Sequence, residues 1–270
     1  MYSYVTLVAN ADYVLGAIAL ARSLKRVGAQ APLTVMTTGD YEHLETLAAL
    51  GCTLLPVEPL PLSEAFQSRH ARESIHTQSP YLKGNKPAFH DPLLNFAKLR
   101  LWELDRFERV VFIDADALVI RSIDRLFGYP EFSAAPNVYE SLADFHRLNS
   151  GVFVAQPNRN TFDSMLAALD TPDAYWRRTD QTFLETYFPE WHGLPYTDNT
   201  LQYVWFNLPQ LWRWSSIRLI HYQYEKPWEP NHPKQDVLKP LIDVWWCVYE
   251  TGRMPDRLPE PPQPTNQQAH

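Results

Sequence analysis

The chain has 270 residues, 45% hydrophobic and 13% aromatic, with 24 Lys+Arg against 31 Asp+Glu for a net charge of −7. Such a composition predicts one large globular α/β domain and excludes a disordered or fibrous protein; the net negative charge and the lack of any Lys/Arg block argue against nucleic acid or anionic membrane as the main partner. No apolar run approaches the roughly 18 to 20 residues of a membrane span and no basic segment precedes the first strand, so the sequence reads as a soluble cytoplasmic protein.

Residues Tyr4 to Val8 form a β-rich run, after which Val14, Ala17, Ile18, Ala21, Leu24 and Val27 recur at helical spacing. A second strand is expected at Leu33–Thr37, a helix from Tyr41 to Leu50 closed by Gly51, and a third strand at Thr53–Val57. This βαβαβ order predicts parallel strands joined by right-handed crossovers, with helices on both sheet faces and ligands at the carboxyl ends of the strands. From Pro59 to Pro92 prolines, polar residues and His70, His76 and His90 predict a long irregular loop, of the kind that folds over a site. Leu94, Ala97, Leu101 and Leu104 resume helical spacing, and Arg109–Ile113 reads as a buried strand. A strand is expected over Leu148–Gln156, with helices over Thr161–Leu169 and Thr179–Phe188. The Pro- and Gln-rich tail from Arg253 to His270 predicts disorder. Cys52 and Cys247, far apart and matching no metal spacing, read as buried free thiols.

The chemistry is expected at Val110-Val111-Phe112-Ile113-Asp114-Ala115-Asp116, where an apolar strand ends in two carboxylates two residues apart. In extended geometry positions i and i+2 face the same side, so both carboxylates converge on one point. Two like charges at a strand mouth call for a cation between them. Mg²⁺ or Mn²⁺ takes oxygen ligands and shares its other positions with phosphates.

Seven ordered blocks together resemble glycosyltransferase family 8, the glycogenin-like retaining glycosyltransferases with a GT-A fold. They are Val5-Thr6-Leu7 with Asn10 and Tyr13; Gly16-Ala17 with Ser23-Leu24-Lys25; Lys98-Leu99 with Trp102; Phe112 to Asp116; Asn149-Ser150-Gly151-Val152-Phe153 with Gln156-Pro157; Asp180-Gln181 with Phe188; and His221 with Lys226-Pro227-Trp228. The resemblance spans roughly residues 4 to 230 and implies a single GT-A domain over residues 1–252, Rossmann-like, with a mostly parallel central sheet flanked by helices.

It further implies that Asp114, Asp116 and His221 bind Mn²⁺ (or Mg²⁺) on the diphosphate of a UDP-sugar, and that Lys226 stabilises the leaving UDP. Leu7, Val8, Asn10 and Tyr13 are expected at the uracil and ribose. Lys98, Asn149, Ser150 and Gly151 would face the donor phosphate and sugar, while Asp180 and Gln181 read the sugar hydroxyls. The expected partners are the UDP-sugar and a separate hydroxyl acceptor such as a polyol, an oligosaccharide or a glycoconjugate; a homodimer follows by analogy with glycogenin only. Retention is expected by front-face attack, with a covalent intermediate on Asp180 as the other route.

The chain departs from the glycogenin pattern in three places, one of them the long loop from 59 to 92, which has no clear counterpart in a compact glycogenin domain. His-x-x-Gly is replaced by His221-Tyr222-Gln223-Tyr224, with Lys226 one residue nearer, and Asn137 stands where an Asp is frequent. A self-glucosylating primer is a further alternative, but aligning Leu208-Pro209 puts Trp205, which has no hydroxyl, at the acceptor tyrosine's place and leaves Tyr203 about 6 to 7 Å along the strand. A nucleotidyltransferase would need a Gly-rich basic N-terminal loop, which Val8-Ala9-Asn10-Ala11-Asp12 is not. A non-catalytic sugar-nucleotide module is disfavoured by the intact metal and lysine positions.

Overall fold

The computed structural model describes residues 1–78 and 86–263. Strands β1 (Tyr2–Val8), β2 (Leu33–Thr37) and β3 (Thr53–Pro56) alternate with helices α1 (Asp12–Arg26) and α2 (Leu44–Ala49), as the spacing predicts. Helices α3 (Glu64–His70), α4 (Arg72–Gln78) and α5 (Pro92–Asn95) lead to a 3₁₀ segment, Phe96–Glu103, and then to strands β4 (Arg109–Ile113), β5 (Ala117–Val119), β6 (Ser133–Pro136) and β7 (Leu148–Ala155). After these come α6 (Arg159–Leu169), α7 (Asp180–Tyr187), β8 (His192–Gly193), β9 (Thr200–Leu201), α8 (Val204–Asn207), β10 (Leu219–His221) and α9 (Gln235–Thr251).

The main sheet has seven strands in the order β3-β2-β1-β4-β7-β6-β8. Its first four strands are mutually parallel, while β7 runs antiparallel to both β4 and β6. This is the expected α/β class. Buried residues on one face, among them Tyr4, Val8 and Val35, meet the apolar stripe of α1; on the other face Trp102, Phe112, Phe132 and Phe153 form an aromatic layer, with Phe132 stacked on Phe188 at 4.6 Å. Fully burying one such ring contributes roughly 4 to 6 kcal/mol gross, from about 150 to 250 Å² at about 25 cal/mol per Å². A third core joins α8, β10 and α9 around Trp205, Tyr222 and Trp245.

A second sheet, β5-β10-β9, decides where the chemistry falls. Strand β10 pairs antiparallel to β5 with His221 opposite Ala117, one residue past Asp116, and the Tyr222 N–H donates to Asp116 O at 2.9 Å. In the main sheet the β4–β7 register ends at Ile113 opposite Val152, and Asp114 N–H donates to Gly151 O at 2.8 Å. Two separate ladders therefore deliver Gly151 and His221 to the Asp-x-Asp turn.

Several local expectations are corrected. The 59–92 stretch is not irregular throughout, since it holds α3 and α4. Ser63 caps α3 by accepting from Phe66 N–H at 3.2 Å, and its own N–H and hydroxyl are both held by Asp170. Buried Phe66 and His70, one turn apart, are too few apolar positions to show as a periodicity. Residues 79–85 lie outside the described residues. The single helix expected around Leu94–Leu104 is a short α turn tightening into 3₁₀. The tail reads as disordered from composition, yet Met254 and Leu258 pack against the third core and Trp214 Nε1–H donates to Pro259 O at 2.7 Å; residues 264–270 are not among those described. Cys52 and Cys247 are free, as expected, but half-buried rather than buried. No helix among the described residues is long and apolar enough to cross a membrane.

Candidate active site

The Asp-x-Asp carboxylates converge by a different route from the one extended geometry suggests. Residues Asp114 to Asp116 form a turn between β4 and β5, closed by Ala117 N–H donating to Asp114 O at 3.1 Å. Each carboxylate then divides its oxygens. Asp114 Oδ1 meets Lys98 Nζ at 2.9 Å, and Asp116 Oδ2 meets Lys226 Nζ; the other two, Asp114 Oδ2 and Asp116 Oδ1, lie 3.7 and 3.3 Å from His221 Nε2. The three ligating atoms fall within 4.8 Å of one another. Adjacent ligands of an octahedral cation with bonds of about 2.1 Å sit roughly 3 Å apart, so the cluster is of the right size for a hard divalent ion.

A chain of amides settles the imidazole's orientation. Gly151 N–H can only donate, and it points at Asn149 Oδ1 at 2.9 Å. That oxygen must also accept from Asn199, so Asn199 presents Nδ2 to it at 2.8 Å and turns Oδ1 to His221 Nδ1 at 3.1 Å. Nδ1 therefore carries a proton toward Asn199, and Nε2 is the ring atom that faces the carboxylates. Gly151 is required sterically as well, because a Cβ there would overlap the His221 ring. The donor set of two carboxylates and one imidazole nitrogen suits Mn²⁺ or Mg²⁺ and leaves positions for phosphate oxygens.

Buried charges next to this cluster are paired. Lys98 Nζ donates to Asp180 Oδ2 at 2.8 Å and to Ser150 O at 3.2 Å, over the Phe112 ring. Burial alone would pull Lys98 down, but Asp114 and Asp180 outweigh it and raise its amine above the ordinary lysine value. Burial likewise pushes Asp116 up, and the Lys226 ammonium, followed by His221, overcomes this and holds it well below the usual carboxylate range. Asp180 accepts from Ser150 Oγ at 2.8 Å and Thr179 Oγ1 at 2.9 Å as well as from Lys98. Asn149 Nδ2 donates to Asn137 Oδ1 at 3.0 Å and to Gln181 Oε1 at 3.3 Å, so Asn137 supplies an acceptor oxygen as the more frequent Asp would.

These groups line a cleft, with Leu7, Tyr13, Lys98, Asp114, Asp116, Asn149, Ser150, Gly151, Asp180, Gln181 and His221 of the expected residues on its walls. Lys226 closes one side through Asp116, its ammonium 5.8 Å from the Tyr13 ring centroid. Val8 and Asn10 are not in the lining. Val8 is fully buried in the first core, and Asn10 Nδ2 donates to Phe89 O at 3.0 Å. Sequence reasoning passes over Asn199, Lys86 and Gln223. Asn199 sits in a polar run before a two-residue strand, and Lys86 in a stretch whose composition says only loop, so neither has a local signal. Gln223 lies inside the His221–Lys226 run; its Oε1 accepts from Gln202 N–H at 3.1 Å. Among the described residues no partner meets Gln223 Nε2 or Gln181 Nε2, two buried donors on the cleft wall.

The glycine missing after His221 is replaced in conformation. Tyr224 takes φ +64°, the left-handed backbone that glycine adopts freely, at a cost on the order of 1 kcal/mol or more for a bulky residue. Its ring packs against Tyr203 at 5.3 Å and Tyr139 at 5.7 Å, which offsets that strain.

Comparison with known proteins agrees with this geometry. The model of the family "Glycosyl transferase family 8" matches residues 4–232. Galactinol synthase 1 of Solanum lycopersicum is 29% identical over 92% of this chain and 81% of its own length. A putative UDP-glucuronate:xylan alpha-glucuronosyltransferase 5 of Arabidopsis thaliana is 31% identical over 95% of this chain but only 43% of its own. Among solved structures, the galactosyltransferase LgtC in complex with donor and acceptor sugar analogues shares the fold with a TM-score of 0.63 at 14% identity, covering 95% of this chain and 98% of that one. The chain belongs to glycosyl transferase family 8 and is a glycosyltransferase.

Proposed function

We propose that the protein is a Mn²⁺-dependent retaining hexosyltransferase that moves a sugar from a UDP-sugar to the hydroxyl of a separate acceptor. The observation that supports it most is the convergence of Asp114 Oδ2, Asp116 Oδ1 and a His221 Nε2 whose ring is oriented by Asn199 at Nδ1. These three atoms would hold the ion, which when bound supplies positive charge to the donor diphosphate. Lys226 adds a buried charge beside the same point and stabilises the UDP that departs. Gln181 Nε2 and Gln223 Nε2, buried donors in want of acceptors, suit the hydroxyl oxygens of a sugar, because an unpaired buried amide costs about 1 to 3 kcal/mol.

Front-face attack fits the surroundings of Asp180 better than a covalent intermediate does. Three donors engage its two oxygens, which lowers its nucleophilicity and favours a role in orienting the sugar. A separate acceptor fits Tyr203. It does not lie on a strand but immediately precedes α8, is fully buried, and donates its hydroxyl to Glu225 Oε2 at 2.8 Å. The test is a screen of UDP-glucose, UDP-galactose, UDP-N-acetylglucosamine and UDP-glucuronate for Mn²⁺-dependent UDP release, with and without acceptor mixtures. Intact mass is read in parallel. Acceptor-stimulated release with unchanged protein mass is expected; a ladder of hexoses on the chain would overturn the separate acceptor.

A further inference from the structure

Among the described residues the cleft is lined by one lysine that the expected machinery does not use. Lys86 lines it, with Nζ 5.4 Å from the Tyr224 ring centroid. The other two ammoniums are committed, Lys98 to Asp114 and Asp180 and Lys226 to Asp116. Among the described residues no carboxylate pairs with Lys86, although Asp114, Asp116 and Asp180 all act on it through space. Burial pushes its amine down to about 8, with repulsion from Lys226 the next cause and attraction from Asp116, Asp114 and Asp180 opposing it.

The backbone around Lys86 is held. Arg72 donates from Nη1 to His90 O at 2.5 Å and from Nη2 to Lys86 O at 3.3 Å, and His90 N–H donates to Pro87 O at 3.1 Å. Asn10 grips Phe89 O, and Tyr13 OH approaches His90 Nδ1 at 3.5 Å. The residues expected at the nucleoside thus also position the segment that presents Lys86. A half-buried cation on the cleft wall, near another cation and without a carboxylate partner among the described residues, is suited to an anion from outside.

We propose that Lys86 is a second cation for the leaving diphosphate, acting beside Lys226. This rests on the donor reading above. In the transfer step the sugar C1–O bond breaks with both electrons passing to the β-phosphate oxygen. The acceptor oxygen forms the new bond to C1, and the acceptor proton ends on the released UDP or in solvent. The diphosphate gains one negative charge, and among the described residues Lys86 is the ammonium on the cleft wall not already neutralised by a carboxylate. Arg178 also lines the cleft, but it stands two residues from Asp180, on the side expected to face the sugar.

The test uses the full chain and the variants K86A, K86M and K86R, each checked for an unchanged melting temperature. Inorganic pyrophosphate and UDP are titrated calorimetrically with Mn²⁺, and kcat/KM for the best UDP-sugar is followed against pH. K86A and K86M are expected to weaken pyrophosphate binding by about 10 to 100-fold and to lower kcat/KM by a similar factor. K86R should recover most of both. Because the protonated amine is the active form, kcat/KM of the unmodified protein should fall as pH rises through about 8, and K86R should lose that fall. Pyrophosphate binding by K86A equal to that of the unmodified protein, or absent from the unmodified protein, would overturn the proposal. If no UDP-sugar is turned over and K86A still weakens pyrophosphate binding, the leaving-group role falls with the donor reading and Lys86 is left as a diphosphate-binding cation; turnover unaffected by K86A sinks Lys86 and leaves the donor reading in place.

Discussion

The two walls of the cleft are built on different principles. One comes from strand ends: the β4–β5 turn brings Asp114 and Asp116, β7 brings Gly151, and β10 brings His221, all locked by ladder hydrogen bonds. The other comes from the segment between β3 and β4, where Lys86 is presented by a few side-chain clamps from Arg72, Asn10 and Tyr13. Ladder register leaves little freedom, since a one-residue slip would turn His221 away from Asp116. Clamps made by single side chains are individually weak and leave adjustable geometry. The strand wall fixes the point at which the carboxylates and His221 meet, and the other wall brings Lys86 to the same cleft.

The contrast breaks most decisively at the strand wall. Asp114→Asn, Asp116→Asn and His221→Ala each remove a ligand from the common point, and each is expected to reduce transfer to the background rate with the fold retained by circular dichroism. Lys226→Ala comes next. Steady-state kinetics should show kcat lowered by about 10²-fold with a much smaller change in KM, as when one preorganised charge donor is lost in a low-dielectric site.

Gly151→Ala probes the register itself. The added methyl must displace the His221 ring, so metal affinity should fall and the protein should be destabilised by about 1 to 3 kcal/mol, read from metal titration and denaturant unfolding. Asn199→Ala is a milder break. It frees the His221 ring without touching a ligand and should weaken metal binding by about 10 to 100-fold, with little effect on melting temperature in the absence of metal.

The same contrast explains what was legible in the sequence. Apolar strands, the α1 stripe, Asp114, Asp116 and the block around Asn149 announce themselves because their spacing is local and their chemistry unusual at those spacings. His221 and Lys226 became legible only through the ordered blocks around them, since nothing near Ile220-His221-Tyr222 says that β10 will pair against β5 with His221 opposite Ala117. Asn199 and Lys86 are not legible, because one acts through a chain of amides and the other lies in a stretch whose composition says only loop and whose first helix buries only Phe66 and His70. The carboxylates of the Asp-x-Asp motif met as expected, but through a turn, which spacing alone does not distinguish from an extended pair. Tyr224 shows the converse, for the left-handed turn that suggests glycine is kept by a tyrosine whose ring contacts offset the strain.

The claim at the centre is that Asp114, Asp116 and His221 bind a divalent ion through which the diphosphate of the donor is held. Calorimetric titration of UDP into the protein with Mn²⁺, after chelation of the metal, and with Mn²⁺ in the Asp116→Asn variant tests it most directly. Binding that is lost on chelation and absent from Asp116→Asn is the predicted result. UDP binding that survives chelation, or that Asp116→Asn retains in full, would contradict it.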